Sequence, residues 1–250
     1  MANISSWTKF ESGKGDKSHI DLFGQEDEVV SLDLIKSDLP IDLTYLLQHI
    51  VTFNALKKLI ESVTISKKPT LLDVGSQMGI VACLTAYYEV FYADPRAAPY
   101  SINFQGLSIQ TLPCEAQDIP AQDCVFDVVT SFHAIEHFGL GRYGDTIDYY
   151  GDQNGLKEFA RVLKKGGQLI VSVPCRATSR IKFNDSREYR PRDFDKILRA
   201  AGFEISSSSI YFHPYAREDN QLATADEREL DDYPIEKTAP LYIVHAFKPL

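Results

Sequence analysis

The sequence is poor in paired cysteines. Its four, Cys83, Cys114, Cys124 and Cys175, are scattered and never form C-x-x-C. That spacing excludes a zinc ribbon and a thioredoxin-type redox site, and leaves free thiols, expected to be buried. No run of about 18 apolar residues occurs, so no membrane-spanning helix is expected. Positive charge is in deficit: 26 Lys and Arg stand against 35 Asp and Glu, a formal net charge of −9. Such a chain is not built to track a nucleic-acid backbone, which needs clustered Lys and Arg. The leading MANISSWTKFESGKGDKS has no apolar signal core, and a cytoplasmic protein is expected. Internal repeats and low-complexity tracts are absent.

What is present is the composition of a globular protein, 44% hydrophobic and 24% charged over 250 residues. Residues 1 to 66 read as a polar arm followed by a helix from Asp42 that packs on the core; residues 67–250 read as the main domain. GKGDKS at 13–18 lacks the spacing of a phosphate loop and is read as surface. From Thr70 onward, strand-like and helix-like runs alternate. Strands are expected at 70–74, 88–93, 107–111, 126–132, 168–174, 204–212 and 241–249. Helices are expected near 79–86, before 107, at 155–166 and over RPRDFDKILRAAGF, with an inserted lid or interface at 212–234. Alternation of this kind predicts an α/β fold, doubly wound, with helices on both faces of a mostly parallel sheet. Ligands then bind at the carboxyl ends of the strands.

Leu71-Leu-Asp-Val-Gly-Ser-Gln-Met-Gly79 reads as a strand, a glycine turn and a helix start. Gly75 permits positive φ and a close approach to a ligand, and Gly79 is expected to let the helix pack tightly. Asp94 follows the strand EVFYA, 21 positions after Asp73, where a carboxylate can accept both hydroxyls of a ribose. Glu115, after the third strand, can meet an adenine amino group, and the Ala116 amide can address the ring.

The segment HAIEH at 133–137 can be written H-x-x-E-H, a zinc-peptidase pattern. A peptidase needs a long helix with both histidines one turn apart and an open metal position. Here the run ends at Phe138-Gly-Leu-Gly141, directly after the strand FDVVTSF, which argues against it. His133, Glu136 and His137 are instead candidates for moving an acceptor proton. Either histidine can serve as general base with Glu136 orienting it, or the three can hold a divalent ion. GLGRYGD at 139–145 reads as a tight exposed loop, with Arg142, Tyr143 and Asp145 facing an acceptor. In the polar stretch that follows Pro174, Arg180, Lys182, Arg187 and Arg190 either receive a negatively charged acceptor or form a solvated basic loop.

Over residues 70 to 205 the chain resembles the class I S-adenosylmethionine-dependent methyltransferases. LLDVGSQMG is similar to their D-x-G-x-G-x-G loop, VFYAD to the ribose strand, and EFARVLKKGGQLIVSVP to the R-V-L-K-P-G-G segment entering the fifth strand. Gln77 replaces the middle glycine, at the rim or within reach of the methionine carboxylate, and Lys165 replaces the proline. The resemblance implies a seven-stranded Rossmann-like sheet with a reversed last strand. It also implies an S-adenosyl-L-methionine site built from Asp73, Gly75, Gln77, Gly79, Asp94, Glu115 and Ala116. Glu136-His137 resembles the E-H dipeptide of many relatives; in some quinone-type O-methyltransferases an E-x-x-E-H run holds a divalent ion, and His133 would replace its first glutamate. The longer SFHAIEHFGLGRYGD resembles the DUF268-type proteins. That likeness implies a small polar acceptor, a sugar hydroxyl in surface-polysaccharide synthesis, with a non-catalytic cofactor-binding module, or a methyltransferase for another small molecule, as the alternatives.

Overall fold

A computed structural model describes residues 68–104, 107–211, 224–233 and 239–250. The N-terminal arm, the helix from Asp42 and residues 212–223 of the insertion lie outside the described residues.

The frame is one sheet. β1 (Thr70–Val74), β2 (Glu89–Ala93), β4 (Leu107–Leu112), β5 (Phe126–Phe132) and β6 (Leu163–Pro174) run parallel. β9 (Glu204–Tyr211) and β11 (Leu241–Phe247) complete it, and β11 is antiparallel to both of its neighbours, β6 and β9. The full order is β10-β9-β11-β6-β5-β1-β2-β4-β3. Among the described residues the sheet therefore has nine strands, where seven are expected. The two additions lie at the edges: β3 (Ser101–Phe104), antiparallel to β4, and the two-residue β10 (Thr224–Ala225). β3 takes the place of the short helix expected before 107.

The apolar runs dictate which face each helix covers. Successive residues of a strand point to opposite faces. Leu71, Val128 and Ile170 accordingly pack with Ile80, Val81 and Leu84 of α1 (Met78–Leu84). Leu72, Val129 and Leu169 pack on the other side with Phe159 of α2 (Gly151–Val162) and Phe194 of α3 (Pro191–Ala200). The strands are buried on both faces, as parallel strands between helix layers must be. Burying each such side chain contributes about 1.5–3 kcal/mol.

Two boundaries differ from the sequence reading. α2 spans 151–162 rather than 155–166, because Leu163 is already extended and pairs with Phe126. The Lys-Lys-Gly-Gly run is absorbed into β6 with Gly166 at φ +73°. A hairpin not read from the sequence, β7 (Arg180–Lys182) with β8 (Ser186–Glu188), follows β6. All four cysteines are free, but only Cys175 is buried; Cys83 and Cys124 are exposed and Cys114 is intermediate. Cys83 lies on the solvent side of α1 and Cys124 in the turn before β5, so an apolar neighbourhood in sequence did not mean burial. Among the described residues no helix is long and apolar enough to cross a membrane.

Candidate functional site

The carboxyl ends of β1, β2, β4 and β5 open into one pocket. Gly75, Asp94, Glu115, Ala116, His133, His137, Tyr143 and Asp145 line it. Asp73, Gln77, Gly79, Glu136 and Arg142 are not among its walls.

Asp73 shapes the first loop from beneath. Its buried carboxylate accepts hydrogen bonds from the Ser76 amide (3.1 Å), the Ser76 hydroxyl (2.8 Å) and the Thr130 hydroxyl (2.7 Å). Burial pushes its pKa up to about 6, against the opposing pull of those bonds. Gly75, at φ +75°, turns the chain where a Cβ would stand 2.9 Å from that of Ala134, so no other residue fits. Gly79 behaves differently. A Cβ there would meet nothing within 4 Å, and its role is not close helix packing. Gln77 is an exposed N-cap whose side chain makes no capping bond.

Asp94, at the tip of β2, is buried and already held. Arg96 Nε reaches Oδ1 at 2.9 Å and Nη2 reaches Oδ2 at 2.6 Å, while the Arg96 amide and the Tyr92 hydroxyl add two more bonds. Burial pushes the Asp94 carboxyl up, but the Arg96 and Tyr92 bonds outweigh it and hold the group below its ordinary value. The Arg96 guanidinium then lies 4.2 Å from the centre of the Tyr143 ring. Glu115 is likewise engaged, with Oε1 accepting from the Thr146 amide (3.0 Å) and hydroxyl (2.9 Å). The two acids read as nucleoside contacts are thus both tied to the glycine loop. Arg96 was not read from the sequence; the signal was Asp-Pro-Arg, a turn in which the acid can receive the amide two residues on.

HAIEH does not form a peptidase helix. Ile135–His137 is a single 3-10 turn, and His133 sits at φ +51°. Glu136 is buried between the two imidazoles: its Oε1 lies 3.2 Å from His133 Nδ1 and 3.8 Å from His137 Nε2. Glu136 Oε2 and His133 Nε2 are enclosed and have no partner. His137 Nδ1 lies 2.6 Å from the Asp185 carbonyl oxygen. Since a carbonyl only accepts, Nδ1 carries the proton and Nε2 keeps its lone pair. Both histidines line the pocket, His133 with its Nε2 enclosed and His137 with its Nδ1 on the Asp185 carbonyl. Among the described residues no three His, Cys, Asp or Glu side chains are gathered to hold a metal ion.

GLGRYGD folds as a loop with Gly139, Gly141 and Gly144 all at positive φ. Asp145 builds it: its carboxylate accepts from the amides of Gly139 (2.8 Å), Gly141 (3.3 Å) and Tyr143 (3.1 Å). These bonds make Asp145 the organiser of the loop, and Asp145 also lines the pocket. Arg142 bonds the side chain and carbonyl of Asp185. The basic residues after Pro174 are spent inside the protein. Arg180 and Lys182 grip Glu188, Arg187 bonds the carbonyl oxygens of Phe138 (2.6 Å) and Tyr149 (3.0 Å), and Arg190 pairs with Glu227.

The profile of one protein family, described as Caenorhabditis protein of unknown function, DUF268, matches residues 108–234, half of the chain. The chain belongs to the DUF268 family. The match takes in both interlocked segments, GLGRYGD and the β7–β8 hairpin. None of the curated protein sequences compared matches this DUF268 chain. Solved structures do resemble it. A methyltransferase of Burkholderia thailandensis, acting on 1,6-didemethyltoxoflavin, is 12% identical with a TM-score of 0.50, over 86% of this chain and 93% of that one. A proposed methyltransferase of Bacillus halodurans is 19% identical, TM-score 0.50, over 79% and 100%. The [4+2]-cyclase SpnF is 18% identical, TM-score 0.52, over 79% and 82%. At these identities the likeness establishes the fold, that of the class I methyltransferases, and the cyclase among them marks how far fold and chemistry can part.

Proposed function

We propose that this DUF268 protein is an S-adenosyl-L-methionine-dependent O-methyltransferase whose acceptor is a sugar hydroxyl on a small polar molecule, in surface-polysaccharide synthesis. One observation carries the reading: the tips of β1, β2 and β4 bring Gly75, Asp94 and the Glu115–Ala116 pair into the same pocket as His137. The Burkholderia relative was solved with S-adenosylhomocysteine bound, which favours the same cofactor here.

The residues fit a nucleoside. Asp94 is an ionised carboxylate at the pocket wall, and Arg96, whose side chain is half exposed, can give up its two bonds to ribose hydroxyls. Glu115 and Ala116 stand at the adenine end. Bound S-adenosyl-L-methionine supplies a methyl group made electrophilic by its sulfonium. His137 Nε2 would take the proton of the acceptor hydroxyl as its oxygen displaces the thioether S-adenosylhomocysteine from the methyl carbon, and the Asp185 carbonyl would hold the opposite ring nitrogen. The Glu136 carboxylate, 3.8 Å from Nε2, offsets the positive charge that the ring gains. Burial of Glu136 keeps water from screening that attraction.

The test is methyl transfer from S-adenosyl-L-methionine to a panel of free and nucleotide-linked sugars. His137→Gln should lower kcat by roughly 10²–10⁴-fold and leave the affinity for S-adenosylhomocysteine unchanged. Full activity in that variant contradicts the assignment. The Arg96 bonds on Asp94 favour a second reading, a non-catalytic module with a sealed cofactor site. Failure to bind S-adenosylhomocysteine together with no turnover would select it.

A further inference from the structure

The β7–β8 hairpin reaches His137, on the pocket wall, through one main-chain atom. We infer that its Asn184–Asp185 turn is a positioning element that fixes the tautomer of His137, an inference that rests on the proposed methyl transfer only for its effect on turnover. The Asp185 carbonyl receives the His137 Nδ1 proton at 2.6 Å and an Arg142 N–H at 3.3 Å. In water the free histidine side chain favours the opposite tautomer, with the proton on Nε2. A fixed acceptor on the Nδ1 side reverses that preference and leaves Nε2 basic.

Rigidity comes from both flanks of the turn. The Asp185 amide closes it on the Lys182 carbonyl at 3.0 Å, and Asn184 occupies the left-handed region at φ +54°. Asparagine tolerates that conformation and β-branched residues resist it. On one flank the buried Glu188 carboxylate gathers Arg176, Arg180 and Lys182. On the other, Arg187 is buried and bonded to the carbonyl of Phe138, the residue next to His137. The carbonyl and the imidazole are thus held to the same piece of chain.

Nitrogen-15 NMR of the His137 ring, on the whole protein at a pH where the ring is neutral, tests this directly. The wild type should show protonated Nδ1 and unprotonated Nε2. Asp185→Ala keeps the carbonyl and should keep that pattern. Asn184→Val displaces the turn and should move the population toward Nε2–H, lowering kcat at least tenfold at unchanged S-adenosylhomocysteine affinity. A wild-type ring protonated on Nε2 overturns the inference even if no variant folds, as does an Asn184→Val ring that stays wholly Nδ1–H. A wild-type Nδ1–H ring that shifts in Asn184→Val, in a protein that methylates nothing, upholds the positioning role and removes the methyl-transfer reading instead.

Discussion

Asp94 and Arg96 compete with any incoming ribose before they help it. A sugar diol must replace the two guanidinium bonds that now occupy both carboxylate oxygens. Removing the competitor should therefore favour the ligand: Arg96→Ala is expected to tighten S-adenosylhomocysteine binding by roughly tenfold, the order of one charge-assisted hydrogen bond. Isothermal calorimetry reads this, and weaker binding would place Arg96 on the ligand rather than against it. The position of Asp94 at the end of β2 was legible in the sequence, because an apolar strand followed by an acid is a pattern along the chain. Its occupant was signalled only by the Asp-Pro-Arg turn, and the stacking of Arg96 on the distant Tyr143 depends on side-chain directions that no spacing records. For the same reason the three backbone amides that Asp145 accepts from within its own loop were not legible.

The elements separate into those that burial dictates and those that local turns dictate. β1, β2, β4, β5, β6, β9 and β11 were legible as apolar or alternating runs. β3 and the β7–β8 hairpin are short, polar and exposed in part, so hydrophobic pattern carries little information about them. The hairpin is nevertheless the element that holds His137 and Arg142. Gly79 shows the converse error, a motif glycine credited with packing that is not there. With nothing within 4 Å of its missing Cβ and no positive φ, Gly79→Ala should raise stability by about 0.5–1 kcal/mol through the restored helix propensity. Denaturant unfolding measures it, and a loss of stability would mean that α1 packs more closely than described.

Across the whole molecule, the parallel order with a reversed final strand places every strand tip of the cofactor half at one edge, and this edge is where buried charge collects. Asp73 titrates at about 6 in the fold against 3.8 unperturbed, so the folded state binds its proton more tightly. Its contribution to stability is fully present below about pH 4 and is lost as pH rises through about 6, an effect on the order of 3 kcal/mol. Asp94 acts with the opposite sign: its folded pKa is lowered, and its contribution is lost only as pH falls below the ordinary carboxylate range. Denaturation midpoints measured from pH 4 to 7 should fall by this Asp73 component in the wild type and lose it in Asp73→Asn. An unchanged slope would mean that Asp73 is ionised throughout. The central claim, that the edge grips a nucleoside through the acid at the tip of β2, is tested most directly by calorimetry with S-adenosylhomocysteine on the wild type and Asp94→Ala. The account predicts binding by the wild type and affinity weaker by roughly 10–100-fold in the variant. Equal affinities, or no uptake by the wild type, would contradict it.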